Sequence, residues 1–191
     1  MKWNIGDIKV TKIQEVEFPE FSDVIPAATP EVVKQIKWLF PHFVTKDGHL
    51  SLSIHSLIVE TPQDKLVVDT CIGNSRPREG FEGFHMLATN YMEDMLAEGY
   101  KPDDIDYVLC THLHVDHVGW NTHLVDGKYI PTFPNATYLM GKQDLEFWGS
   151  IDEDTDIDFM KLQRTVFDEC LKPILDAGLA RPVEAPTSVC E

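Results

Sequence analysis

Basic side chains are scarce in this chain, whose 191 residues carry 16 Lys and Arg against 32 Asp and Glu, a formal net charge of −16. Such a surface repels phosphate backbones and anionic lipid, so neither a nucleic-acid nor a membrane partner is expected. Long apolar runs are missing too. No stretch approaches the ~18 apolar residues of a spanning helix, and Met1-Lys2-Trp3-Asn4-Ile5-Gly6-Asp7 lacks the apolar core of a signal peptide. A soluble, cytoplasmic protein is the expectation. No Cys-x-x-Cys pair occurs; Cys71, Cys110, Cys170 and Cys190 are scattered, which predicts reduced thiols rather than a disulfide framework. The absence of Gly-x-Ser-x-Gly, of a phosphate-binding Gly-rich loop and of Gly-x-Gly-x-x-Gly leaves serine-hydrolase, nucleotidase and dinucleotide readings without a foothold. No repeat, low-complexity tract or linker divides the chain, so residues 1–191 read as one domain.

What is present alternates irregularly between strand and helix, the pattern of an α/β (α+β) fold. Loose alternation of Ile8, Val10, Ile13, Val16 and Phe18 predicts strand with a bulge over 8–18. Thr29-Pro30 followed by Val32, Val33, Ile36, Leu39 and Phe40 predicts an amphipathic helix stopped by Pro41. Residues 51–61 and 66–71 read as paired strands joined by Pro62-Gln63-Asp64-Lys65. The glycines and charges of 75–85, including Arg76, Arg78, Glu79 and Glu82, predict a mobile loop. Thr89 caps a helix ending at Gly99, followed by strands over 105–111 and 133–140. Helices are expected over 142–148 and 158–171, the last kinked or ended by Pro173. The apolar residues of 36–40 read as core, with a substrate-pocket wall as the alternative.

The informative segment is Thr111-His112-Leu113-His114-Val115-Asp116-His117-Val118-Gly119-Trp120-Asn121, with three imidazoles and one carboxylate inside six positions. In an extended segment leaving a strand, residues two apart point the same way. His112 and His114 can then face one ion, while Asp116 and His117, entering the next turn, face a neighbouring point. Imidazole nitrogen and carboxylate oxygen are the donors Zn²⁺ takes in hydrolytic sites, and Fe or Mn accept similar sets.

This segment at the end of a buried strand, preceded by Asp69 in Leu66-Val67-Val68-Asp69-Thr70, resembles the signature of the metallo-β-lactamase superfamily. The resemblance implies an αββα sandwich in which His112 and His114 bind one metal, Asp116 and His117 bind a second, and Asp69 orients the site from behind the ligands. It further implies one or two Zn²⁺ and a zinc-bound hydroxide that attacks a lactone, ester, amide or phosphoester of a small-molecule substrate, with Asp116 handling a proton. Trp120-Asn121 and Thr132-Phe133-Pro134-Asn135-Ala136 are similar to the branch with lactonases and organophosphate hydrolases.

The chain also departs from the family. Cys71 stands where many members have glycine, and no histidine follows His123, whereas the family completes its site with later ligands. Residues 1–191 are therefore expected to be the N-terminal half of the sandwich, with the C-terminal half largely missing; a genuine short form and substitution by other histidines are the alternatives. Half a sandwich leaves an apolar face, so a homodimer, or a noncatalytic protein needing a partner, is the rival expectation. His42, His49, His55, His85 and His123 read as structural or surface histidines. The acidic run at 152–158 reads as a solvated helix cap, because Ile157 and Gln163 stand where a calcium loop needs Gly and Glu.

Overall fold

The computed structural model describes residues 1–19, 25–152 and 154–189. Cys190 and Glu153, both part of the sequence expectations, lie outside the described residues. The chain runs through β1 (Lys2–Ile5), β2 (Ile8–Pro19), α1 (Pro30–Val33), β3 (Ser51–Glu60), β4 (Lys65–Val68), α2 (Tyr91–Ala97) and β5 (Tyr107–Leu109). It continues through β6 (Thr122–Val125), β7 (Lys128–Pro131), β8 (Thr137–Gly141), α3 (Lys142–Gly149), α4 (Asp158–Val166), α5 (Lys172–Asp176) and β9 (Ala180–Val183).

Seven strands form one sheet in the order β1-β2-β3-β4-β5-β8-β9, while β6 and β7 make a separate hairpin. Pairing is antiparallel from β1 to β4 and parallel from β4 through β5 and β8 to β9. The α/β expectation holds, in a mixed sheet with helices packed on one face. On that face the aligned residues Ile58, Val67, Val108 and Tyr138 are buried with Tyr91 and Met95 of α2, Trp148 of α3, Leu162 of α4 and Ile174 of α5. On the other face Leu57, Val68 and Leu109 share a register row and are only half-buried. Functional groups collect at the carboxyl ends of parallel strands, where the chain leaves the ladder and backbone groups become available; β4, β5 and β8 end side by side here.

Four local outcomes differ from expectation. The helix at 29–40 shrinks to the single turn of α1 plus a 3₁₀ turn at Lys37–Leu39. So short a helix is stable only through packing, and α1 buries just Val33, which joins Leu39 and Val44 in a small cluster apart from the main core. Trp38, expected as core, is 74% exposed. The helix at 158–171 does not stop at Pro173: a π-turn at Phe167–Leu171 carries α4 into α5. Proline cannot bond to the carbonyl four residues back; that carbonyl, on Glu169, instead accepts from Thr122 Oγ1 at 2.7 Å. β1, β9 and the β6–β7 hairpin were not anticipated. The loop at 75–85 is irregular but anchored, with Arg76 and Arg78 almost fully buried. Cys71, Cys110 and Cys170 are free and buried, as expected. Among the described residues no helix is long and apolar enough to cross a membrane.

Candidate metal centre

Asp69 directly follows β4 and adopts φ 56°. That left-handed conformation is one Asp tolerates better than most residues, and it turns the carboxylate across the end of β5. There Oδ1 accepts from the Thr111 N–H at 2.8 Å, and the Thr111 hydroxyl bonds both oxygens at 3.0 and 2.8 Å. Oδ2 also holds His117 Nδ1 at 2.8 Å. A carboxylate can only accept, so this bond keeps a proton on Nδ1 and leaves Nε2 as the nitrogen whose lone pair is freed when the ring loses its second proton. His117 Nε2 lies 3.3 Å from Asp116 Oδ2.

The other two imidazoles crowd against this pair. The His112 ring centroid is 3.9 Å from that of His117 and 4.6 Å from that of His114. His114 in turn meets the edges of Trp148 at 5.4 Å and Phe159 at 5.6 Å. All four motif residues and Asp69 are thus gathered in one place. Among the described residues, however, no three His, Cys, Asp or Glu side chains are arranged to hold a metal ion. The cluster has the donor chemistry of a zinc site without a common point for three donors.

Charge is tuned within the cluster. Burial pushes the His117 ring down, but its bonds to Asp116 and Asp69 and their charges outweigh this and hold its pKa at about 9. Burial likewise pushes the Asp116 carboxyl up, yet its bond to His117 and the neighbouring positive charge bring it below the usual value. His112 is lowered by burial and by the charges of His117 and His114. A cavity of about 230 Å³ opens beside Asp69, Asp116 and His117, walled by His55, Leu57 and Val68. His55 Nδ1 bonds the Ser53 carbonyl at 2.9 Å, so its ring is fixed by its own strand. His42, His49, His85 and His123 stand outside this cluster; His85 Nδ1 accepts from the Arg78 N–H at 3.0 Å.

The segment that carries the motif is laced to the turn after β4. The His117 carbonyl accepts from Thr70 N–H at 2.7 Å, Gly119 N–H donates to the Cys71 carbonyl at 2.7 Å, and Trp120 N–H donates to the Thr70 carbonyl at 2.7 Å. The two backbones are so close that a Cβ on Gly119 would lie 1.8 Å from the Ile72 oxygen. Cys71 adopts the left-handed conformation at φ 54° with its side chain buried. Sequence reasoning missed Glu15. It sits where the β2–β3 register slips between Gln14 and Val16, and the bulge turns its carboxylate onto the Ile72 and Gly73 amides at 2.7 and 3.1 Å and the Trp120 indole at 2.6 Å. The broken alternation Ile13-x-x-Val16 was the signal.

With this geometry in hand, the family model described as Metallo-beta-lactamase superfamily matches residues 51–179. The chain belongs to this superfamily. An N-acyl homoserine lactonase of Bacillus cereus is 32% identical over 89 residues, 41% of this chain and 36% of that one. N-acyl homoserine lactonase AttM of Agrobacterium fabrum is 34% identical over 56 residues, 29% of this chain and 18% of its own length. Among solved structures, the hydrolase AbOPH superimposes with a TM-score of 0.69 at 18% identity, covering 98% of this chain and 62% of that one. AidC, a dizinc quorum-quenching lactonase in complex with a product, gives 0.66 at 17% identity, covering 99% and 62%. These two superpositions establish the metallo-β-lactamase fold; the chain spans about three fifths of those structures' length and a smaller share of the curated relatives.

Proposed function

We propose that the protein is a metal-dependent hydrolase whose ligands include His112, His114, Asp116 and His117, oriented by Asp69. The observation that carries this reading is the bond from Asp69 Oδ2 to His117 Nδ1 at 2.8 Å. It keeps a proton on Nδ1, so Nε2, which faces Asp116, is the nitrogen left for a metal once its own proton is lost, an arrangement typical of carboxylate-backed metal histidines. Zinc held by this set would act as a Lewis acid, lowering the pKa of water toward ~7 and polarising a substrate oxygen; Fe or Mn would suit the same donors. Asp116, kept ionised beside His117, would handle a proton for the leaving group.

The substrate side is apolar. Trp148 and Phe159 stand edge-on to His114, and Phe147 beside Trp148 is 51% exposed. Such a wall suits a small ester or lactone with an apolar acyl arm, the class to which N-acyl homoserine lactones belong. The described residues share one main sheet and one main core, which supports reading 1–191 as a single domain. That no three donors share a point among the described residues is the observation on which a rival reading, a noncatalytic member of the fold, would rest.

Elemental analysis of the purified chain separates the two, paired with hydrolysis of N-hexanoyl homoserine lactone. One or two zinc equivalents that fall by at least half in His114→Ala, with loss of hydrolysis, is the expected result. Unchanged metal content in a folded His114→Ala variant would overturn the ligand assignment. Zinc bound without hydrolysis of any ester or lactone tested would overturn the hydrolase.

A further inference from the structure

Arg76 and Arg78 are 1% and 2% exposed, an unusual place for two guanidinium groups. They converge on one carboxylate: Glu169 Oε2 accepts from Arg78 Nη2 at 2.6 Å and from Arg76 Nη1 at 3.3 Å. One carboxylate cannot neutralise two guanidiniums, so backbone oxygens take much of the rest, while both Nε atoms are buried without a hydrogen-bond partner. Arg78 Nη1 donates to the Pro77 carbonyl at 2.8 Å. Arg76 Nη2 donates to the Gly119 carbonyl at 2.6 Å, to the Thr122 carbonyl at 2.7 Å and to Thr122 Oγ1 at 3.0 Å. The Tyr129 ring lies 4.6 Å from the Arg76 guanidinium.

These contacts fall on the metal motif's own tail. Gly119 lies two residues after His117, and its peptide is pressed onto Ile72 and Gly73, the turn that begins at Asp69. The segments 69–73 and 117–122 are therefore crossed laces, tied at one end by Asp69 to His117. Arg76, emerging from the first segment, hooks over the second at Gly119 and Thr122 and ties the other end. Thr122 extends the tie by donating to the Glu169 carbonyl, the one released by Pro173. Charge-assisted bonds of this length in a dry site hold backbone more tightly than neutral ones.

The geometry points to Arg76 as a positioning residue for the centre: through Gly119 it sets where His117 stands relative to Asp69, and so the affinity of the site for a metal. This rests on the metal-site reading above. Lysine in its place keeps one charge but cannot form the four-bond fork.

The test uses the full 191-residue chain as wild type, Arg76→Lys and Thr122→Val, the last keeping its shape while removing one acceptor from Arg76 and the donor to the Glu169 carbonyl. Two readouts are taken where circular dichroism shows each protein folded. One is the downfield imidazole Nδ1–H resonance of His117 in chelator-treated protein; the other is Co²⁺ affinity by chelator competition, with its visible absorption bands. Arg76→Lys is expected to lose or shift the His117 resonance and to bind Co²⁺ at least tenfold more weakly with altered bands, and Thr122→Val to do the same in smaller measure. A resonance, affinity and spectrum equal to wild type in both variants, whatever the change in melting temperature, would make Arg76 a stabilising residue only and overturn the proposal. If wild type binds no Co²⁺, the metal reading falls by itself, and the His117 resonance alone decides whether Arg76 positions it. If Arg76→Lys does not fold, Thr122→Val carries the same two outcomes.

Discussion

The two halves of the histidine cluster are held by different physics. Asp116 and His117 stand on a hydrogen-bonded frame: Asp69 behind the imidazole, Thr70 on the His117 carbonyl, and Gly119 interlocked with the turn after β4. His112 and His114 leave a strand of only three residues; Gln163 holds the backbone at Leu113 and Val115 and His112 Nδ1 lies 3.2 Å from Thr111 Oγ1, but no carboxylate backs either ring, and both rest on contacts with each other, with Trp148 and with Phe159. Hydrogen bonds fix direction, whereas edge contacts between rings fix distance and leave rotation soft. The framed half is thus preorganised by backbone and carboxylate, and the packed half adapts, which fits a centre whose donors are gathered without yet sharing a point.

Breaking the frame is expected to cost most. Gly119→Ala places a methyl 1.8 Å from the Ile72 oxygen, a collision with backbone that no rotamer change relieves. We expect a loss of more than about 5 kcal/mol, or failure to fold, measured by urea denaturation; a stable, metal-binding Gly119→Ala protein would show that the lacing is loose. The packed half should break at lower cost. Trp148→Ala removes a ring that is 8% exposed from against His114, for about 3–5 kcal/mol by the same measurement. It should also weaken metal binding at His112 and His114 while leaving the His117 resonance in place. Equal loss of both signals would erase the distinction between the halves.

How much of this was readable in sequence follows the same division. The four motif residues were legible because their chemistry is concentrated in six consecutive positions, and Asp69 because it resembles a family landmark. The frame around them was not. Glu15 acts on amides 57 residues away, and Arg76 reaches Glu169 across 93 residues. A charged residue in a glycine-containing loop is by itself the mark of a solvated segment, and only the fold reveals the partner. The hairpin β6–β7 was legible but overlooked: Asp126-Gly127, with φ 48° and 77°, is the two-residue turn such hairpins favour. The helix at 29–40 was overread for the opposite reason, since apolar spacing without a core to face yields only one turn. At Pro173 the expected break takes the form of a π-turn rather than an end, and Thr122 supplies the donor that proline lacks.

A pH titration sharpens the comparison with the smallest expected effect. In chelator-treated protein His117 has a pKa of about 9, above its value of 6.5 in an unfolded chain. Its protonation therefore adds stability that is fully present below pH ~6.5 and is lost as pH rises through about 9. His112 is shifted the other way, so the slope it contributes has the opposite sign and lies around and below pH ~6.5. The melting temperature should accordingly fall between pH 6.5 and 9 in wild type and in His112→Asn, and stay flatter in His117→Asn. The ring is 26% exposed, so solvent screening keeps the effect modest. Metal binding should show the opposite trend, with Co²⁺ affinity rising over the same interval, because a cation at Nε2 must displace a proton from His117. A wild-type slope that survives in His117→Asn, or disappears in His112→Asn, would place the titrating ring in the packed half and reverse the assignment of which half is framed by charge.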